Sequence, residues 1–93
     1  MILVQIVRIP AEGVATFQRY ESLVLPLMPN YGGVVERRLR SADGQTELHV
    51  MSFPSRPALD AYIADPDRAR HQPLRVVSGA IAELLEMTDV AAG

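Results

Sequence analysis

Strand-like and helix-like stretches alternate along this sequence in the order β-α-β-β-α-β, which predicts a small α+β domain. Three observations carry that reading. Ile2–Ile9 (ILVQIVRI) is a β-branched run stopped by Pro10. From Gly13 to about Met28, apolar residues recur at three- and four-residue steps. Asp43-Gly44 lies between two alternating segments, the strongest short hairpin signal.

Each element follows from local chemistry. Apart from Gln5 and Arg8, Ile2–Ile9 is apolar on both faces, as a central strand covered on both sides would be. The first helix carries a stripe of Val14, Phe17, Val24, Leu25 and Met28, widened by Tyr20, Leu23 and Leu27. Pro26 removes a backbone hydrogen bond, so a kink or a loosened last turn is expected near Ser22–Met28. Pro29-Asn30-Tyr31-Gly32-Gly33 ends the helix, the glycines allowing a turn into the next strand.

Val34–Arg40 and Thr46–Phe53 form the hairpin strands. A two-residue Asp43-Gly44 loop, or a four-residue loop of the same register, sets Arg40 opposite Glu47 and Leu39 opposite Leu48. It also sets Arg38 opposite His49 and Glu36 opposite Met51. One face then carries Val35, Arg37, Leu39, Leu48, Val50 and Ser52; mainly apolar, it is expected under the helices. The other carries Val34, Glu36, Arg38, Arg40, Glu47, His49, Met51 and Phe53.

Pro54 ends the strand, Ser55 is a good N-cap and Pro57 suits a first helical turn. Leu59, Tyr62 and Ile63 form the buried stripe of a short helix. Asp65-Pro66 starts a further turn, and Pro73 interrupts it. Leu74–Ala80 stays open between a helical turn and a loop. Ile81–Val90 reads as the last strand, although Ala82–Glu86 also suits a helix. Ala91–Gly93 is expected to fray.

Four strands and two crossover helices in this order make the ferredoxin-like split βαβ arrangement. Right-handed crossovers put the helices on one face of a four-stranded antiparallel sheet. The other face lies bare, half apolar and half charged, which fits a face-to-face homodimer. A hydrophobic content of 48% in a chain of 93 residues points the same way.

Residues 1–93 form a single domain of ordinary size. There is no cysteine, so disulfides, thiolate chemistry and cysteine-based metal sites are excluded. Lysine is also absent: all nine basic residues are arginine, which rules out Schiff-base chemistry. The net charge is −2 with arginines interleaved among acids, so no nucleic-acid partner is expected. No apolar run approaches the roughly 20 residues of a membrane span, so no membrane partner is expected. Ile2–Ile9 lacks a basic leader and a small-residue cleavage site, and the expected location is the cytoplasm.

Tyr20, Pro26, Tyr31-Gly32-Gly33, Phe53-Pro54-Ser55, Tyr62 and Asp65-Pro66 follow one another in an order that resembles the uncharacterised family called domain of unknown function 1330. That family lies within the dimeric α+β barrel superfamily, and the resemblance covers nearly the whole chain. It implies a ferredoxin-like protomer whose sheet packs on a mate's across a two-fold axis. Superfamily relatives include cofactor-independent monooxygenases, muconolactone isomerases and ligand-sensing domains. Glu36-Arg37-Arg38-Leu39-Arg40, followed by Glu47 and His49, is more charged than the usual family form.

The candidate site is on the hairpin. Glu36, Arg38 and His49 share a face under the expected register. His49 is the candidate base, Glu36 the carboxylate that orients it, and Arg38 the holder of an anionic group. The same trio also reads as an ion-pair network at a dimer interface. Arg40 and Glu47, nearer the hairpin tip, read as a solvated or interfacial salt bridge. Tyr20 and Tyr62 are candidate ligand contacts through their hydroxyls. Met51, with Met28 and Phe53, would line the same pocket.

His71 reads as a surface or pocket-rim residue. No metal motif is present, and no metal or cofactor is expected. Tyr31-Gly32-Gly33 lacks the following helix of a phosphate cradle. Neither Ser52 nor Ser55 sits in a nucleophile elbow. Two functions fit these residues. One is a dimeric protein that binds a small polar or anionic molecule and catalyses cofactor-independent proton transfer or oxygenation. The other is a non-catalytic dimerisation or ligand-sensing module with the charged hairpin as its interface.

Overall fold

The computed structural model describes residues 1–92. Gly93, the end of the segment expected to fray, lies outside the described residues. The strands are β1 (Ile2–Arg8), β2 (Val34–Arg40), β3 (Thr46–Ser52) and β4 (Ile81–Met87). They pair antiparallel in the order β2-β3-β1-β4, the ferredoxin-like arrangement. β1 is central, as its two apolar faces require.

The helices are α1 (Val14–Val24), α2 (Arg56–Ile63) and α3 (Pro66–Ser78). Past Val24, α1 tightens into a 3₁₀ segment, Leu25–Tyr31, where Pro26 and Pro29 remove backbone donors. Ser55 caps α2 by accepting from the Ala58 amide, and Asp65 caps α3 by accepting from the amides of Asp67 and Arg68. Tyr31 donates to the other Asp65 oxygen, tying the 3₁₀ segment to the start of α3.

α3 corrects one expectation: it runs through Pro73 to Ser78. Pro73 and Ala69 are both exposed, so the Ala69 carbonyl that loses its helical donor can bond to water. Two further expectations change. β4 stops at Met87 rather than Val90, and Ile63 is exposed rather than part of the buried stripe.

The hairpin pairs Arg38 with His49, Leu39 with Leu48 and Arg40 with Glu47, as expected. The Ser41 amide donates to the Thr46 carbonyl at 2.9 Å, closing a loop around Gly44 at φ +75°. A β-bulge between Val35 and Arg37 then shifts the register, so Val35 and not Glu36 lies opposite Met51.

The sheet's two faces are the reverse of expectation. Glu47, His49 and Met51 of β3 are buried on the helix side, beside Val7, Gln5 and Leu3 of β1. The bare face carries Ile2, Val4 and Ile6 with Leu48 and Val50, and Leu39, Leu85 and Met87 beyond them. The apolar hairpin face is thus the uncovered one. The charged face is accepted inside because its charges neutralise one another there.

Two apolar clusters hold the helices to the sheet. One contains Leu3, Met28, Met51, Phe53, Leu59 and Tyr62, and the other Val7, Ile9, Phe17, Tyr20 and Val24. Gln5 and His49, paired across β1 and β3, lie in register between them. The polar site therefore sits in the gap between two pieces of core.

Candidate active site

His49 is 2% exposed, and its environment comes from three elements. β3 places Glu47 two residues away on the same face. α1 places Glu21 one helical turn below Phe17 and beside Tyr20, so a carboxylate stands in an otherwise apolar stripe. The edge strand β2 brings Arg38 and Arg40 from outside.

The His49 Nε2 lies 2.9 Å from Glu47 Oε1 and 3.0 Å from Glu21 Oε2. Arg38 spans both carboxylates: Nη2 donates to Glu21 Oε1 at 2.8 Å and Nε to Glu47 Oε1 at 3.1 Å. Arg40 Nε donates to Glu47 Oε2 at 3.0 Å. Both Glu47 oxygens are therefore engaged.

The two carboxylates are set apart electrostatically. Burial works to raise Glu47, but its contacts with Glu21, His49, Arg40 and Arg38 outweigh it and hold Glu47 at about 2. Burial pushes the Glu21 carboxyl up, and its His49 contact only partly offsets that. Burial opposes the His49 cation, but the Glu21 and Glu47 carboxylates beside Nε2 prevail and raise its pKa. Glu47 is thus held as an anion, while the surroundings of Glu21 and His49 both favour the protonated form.

A cavity of about 80 Å³ opens beside them between the helices and the sheet. Its walls include Glu21, His49, Met51, Tyr20, Tyr62 and Arg68. Among the described residues, the buried His49 Nδ1 and Arg68 Nε have no polar partner, and Glu21 Oε2 has only the His49 Nε2 that it shares with Glu47. All three residues line this one cavity. Orphaned buried polar atoms are rare in folded proteins, so their convergence on one cavity singles it out as the candidate site.

The structure brings together His49, Tyr20, Tyr62 and Met51 at the cavity. Tyr62 hydroxyl donates to the Val24 carbonyl at 3.3 Å, and Tyr20 hydroxyl reaches Gln72 Oε1 at 3.5 Å. Met28 stays in the core and does not line it.

Glu36 is corrected. As the bulge residue it accepts from Ser52 Oγ at 2.8 Å, on the bare face away from His49. Arg38 is corrected as a ligand contact, because its guanidinium is committed to Glu21 and Glu47 and it does not line the cavity. His71 is half-buried on α3 and does not line it either. Glu47, expected as a hairpin-tip salt bridge, is instead the buried hub of the ion pairs.

Sequence reasoning passed over Glu21, Arg68 and Arg75. Glu21 carried a signal, since Phe17, Tyr20, Glu21 and Val24 stand at helical spacing. Ligand atoms of Glu21, Glu47 and His49 come within 4.8 Å of one another, close enough to hold a metal ion. Those atoms already bind one another and the two arginines, so this donor set is poorly matched to a cation.

No protein-family model and no curated protein matches this sequence. Solved structures do match over nearly the full length. A dimeric ferredoxin-like protein of unknown function from Jannaschia sp. CCS1 is 20% identical, with a TM-score of 0.66 over 94% of this chain and 100% of its own. A putative antibiotic biosynthesis monooxygenase from Nitrosomonas europaea is 9% identical, with a TM-score of 0.72 over 94% of this chain and 98% of its own. SnoaB, a cofactor-independent oxygenase from Streptomyces nogalater, is 20% identical, with a TM-score of 0.61 over 96% of this chain and 93% of its own. What this chain shares with them is the fold. The resemblance to domain of unknown function 1330 holds at the same level, that of a ferredoxin-like protomer. No helix is long and apolar enough to cross a membrane.

Proposed function

We propose that this protein is a homodimeric enzyme that binds a small polar or anionic molecule in the helix-side cavity. It catalyses cofactor-independent proton transfer on that molecule, or oxygenation through the carbanion so formed, with His49 as the base. The single observation that carries this reading is the state of the imidazole. Nε2 is fastened between two carboxylates, and the buried Nδ1, on the other side of the ring, has no partner.

The carboxylates favour the tautomer with hydrogen on Nε2, leaving the Nδ1 lone pair to accept a proton. Glu21, buried and proton-accepting, takes part in dispersing the charge that then forms on the ring. Glu47, locked by Arg38 and Arg40, fixes the ring's orientation. SnoaB, of the same fold, is described as a cofactor-independent oxygenase, which supports oxygenation as the outcome where dioxygen reaches the carbanion.

The homodimer is supported by the bare sheet face. Val34, Leu39, Leu85 and Met87 are between 38% and 50% exposed there, apolar surface that a monomer would leave in water. The Jannaschia protein of the same fold is dimeric.

The test is a screen of small carbon acids and phenols for solvent-deuterium exchange and dioxygen uptake, with wild type and His49→Gln side by side. Loss of a general base lowers the rate by about 10²–10⁴-fold. An equal rate in both proteins contradicts His49 as the base. Saturable binding with neither exchange nor uptake identifies the ligand-sensing module instead.

A further inference from the structure

We propose that the cavity's ligand is a short monocarboxylic acid, its carboxylate held by Arg68 and Arg75 of α3 and its reactive carbon directed to His49. This deepens the reading of the cavity as a ligand site, and it rests on that reading.

The first observation is the polarity of α3. Arg68, Gln72 and Arg75 stand at i, i+4 and i+7, which makes them one stripe. A helix packed on a core ordinarily presents apolar residues there. Here Gln72 faces Tyr20, and Arg68 and Arg75 are half-buried against the cavity. A half-buried polar stripe turned toward the core is an informative exception.

The second observation is how the two guanidinium groups are held. Arg38, Arg40, Arg56 and Arg70 each pair with a carboxylate; among the described residues, Arg68 and Arg75 do not. The Arg68 group lies 5.1 Å over the centre of the Tyr62 ring, and its Nη1 donates to the Ile63 carbonyl at 3.3 Å. Those two contacts fix the plane of the fork. The buried Nε then has no partner. A desolvated donor of a fixed cation is unfavourable unless an acceptor meets it, and the fork of arginine matches a carboxylate.

The third observation is charge and size. Arg68 and Arg75 are the fixed cations of the wall and Glu21, already paired with Arg38, is its one carboxylate, so the wall has at least one uncompensated positive charge. A monoanion balances it. The cavity measures about 80 Å³. A protein cavity that takes up benzene measures about 150 Å³. A short aliphatic acid fits this space.

A 2-oxo acid combines the required parts. Its carboxylate meets Arg68 and Arg75. Its carbonyl acidifies the neighbouring C–H; that proton passes to His49 Nδ1, and the C–H electron pair is stored as the enolate. Return of a solvent deuteron restores the acid, so no oxidant is needed and the exchange balances.

The experiment uses 2-oxobutanoate and its methyl ester, with wild type, Arg68→Gln, Arg68→Lys, Arg75→Gln and His49→Gln. Binding is measured by calorimetry, and deuterium exchange beside the carbonyl by proton NMR. Circular dichroism checks that each variant is folded. The acid should bind saturably. Arg68→Gln should weaken it at least tenfold, and Arg75→Gln severalfold. Arg68→Lys, which keeps the charge without the fork, should fall between Arg68→Gln and wild type. The ester should bind weakly and equally to all of these. His49→Gln should retain binding and lose exchange.

Ester binding as tight as acid binding, or acid binding unmoved in both arginine variants, overturns the proposal. So does no saturable acid binding up to about 10 mM, a weak affinity for any specific site. Competition by inorganic phosphate as strong as by the acid overturns the carboxylate assignment. Arginine-dependent binding without exchange in wild type supports the anion site, and it contradicts His49 as the base instead.

Discussion

The two faces of the β-sheet carry unlike surfaces: the helix side sets a buried charge cluster between two apolar clusters, and the uncovered side is apolar along its middle. Under the helices lie Glu47, His49 and, reaching in from the edge, Arg38 and Arg40. Toward solvent lie Ile2, Val4, Ile6, Leu48 and Val50. Charge is admitted inside because every member finds an opposite charge at 2.8–3.1 Å, and Glu21 of α1 completes the set. The apolar surface left outside is the proposed contact with a second copy of the sheet. The covered face carries the proposed site and the bare face the proposed dimer contact, so the two are separable by mutation.

The largest effect is expected from breaking the covered face. Glu47→Ala leaves Arg38, Arg40 and His49 without their shared anion, and urea unfolding should show a loss of about 3–5 kcal/mol. A loss below about 1 kcal/mol would place these pairs with ordinary surface salt bridges.

Breaking the bare face should act on assembly. Leu39→Asp combined with Leu85→Asp should weaken the dimer about 100-fold or more in sedimentation, roughly 2.7 kcal/mol, with the protomer still folded. An unchanged sedimentation profile would remove this face as the dimer contact.

Changing the pH sharpens the contrast, since the titrating groups with the strongest mutual contacts lie on the covered face. The raised His49 pKa gives stability that is complete below about 6.5 and is lost as pH rises through the folded-state value. Glu21, also raised, adds a loss in the same direction. The lowered Glu47 gives stability that is present above 4.5 and is lost as pH falls toward about 2. Thermal midpoints should therefore decline on both sides of mildly acidic pH, and His49→Gln should flatten the alkaline decline. An identical alkaline decline in the variant would show that His49 is not its source.

The smallest effects come from residues beside the site. Tyr62→Phe should cost about 1 kcal/mol, the hydrogen bond to the Val24 carbonyl, by urea unfolding. Glu36→Ala, on the bare face, should change stability by no more than about 0.5 kcal/mol and leave cavity binding intact. A large loss of binding in Glu36→Ala would contradict its placement.

Much of the fold was legible because its signals are local. The β-branched run of β1, the Asp43-Gly44 loop and the Ser55 and Asp65 caps act within a few residues of where they stand. The pairing of Arg38 with His49 followed from loop length alone. The bulge was not legible: nothing in Val34-Val35-Glu36-Arg37-Arg38 marks the residue that drops out of register. That single displacement moved Glu36 to the other face and removed it from the site.

The site was half legible for a related reason. His49, Tyr20, Tyr62 and Met51 follow from strand alternation and helical stripes. Which face the helices cover does not, because it depends on whether buried charges can be neutralised from elsewhere in the chain. Glu21 does that from a distance of 28 positions in sequence from His49. The arginines of α3 stayed hidden because Pro73 concealed the continuity that aligns Arg68 with Arg75.

In the proposed site Glu21 and Glu47 fasten His49 Nε2 and leave Nδ1 free to take a proton. Nitrogen-15 NMR of the imidazole across a pH titration tests it most directly. The neutral ring should carry its hydrogen on Nε2, and it should titrate above the ordinary histidine value. A neutral ring protonated on Nδ1, or titration below that value, would contradict the account.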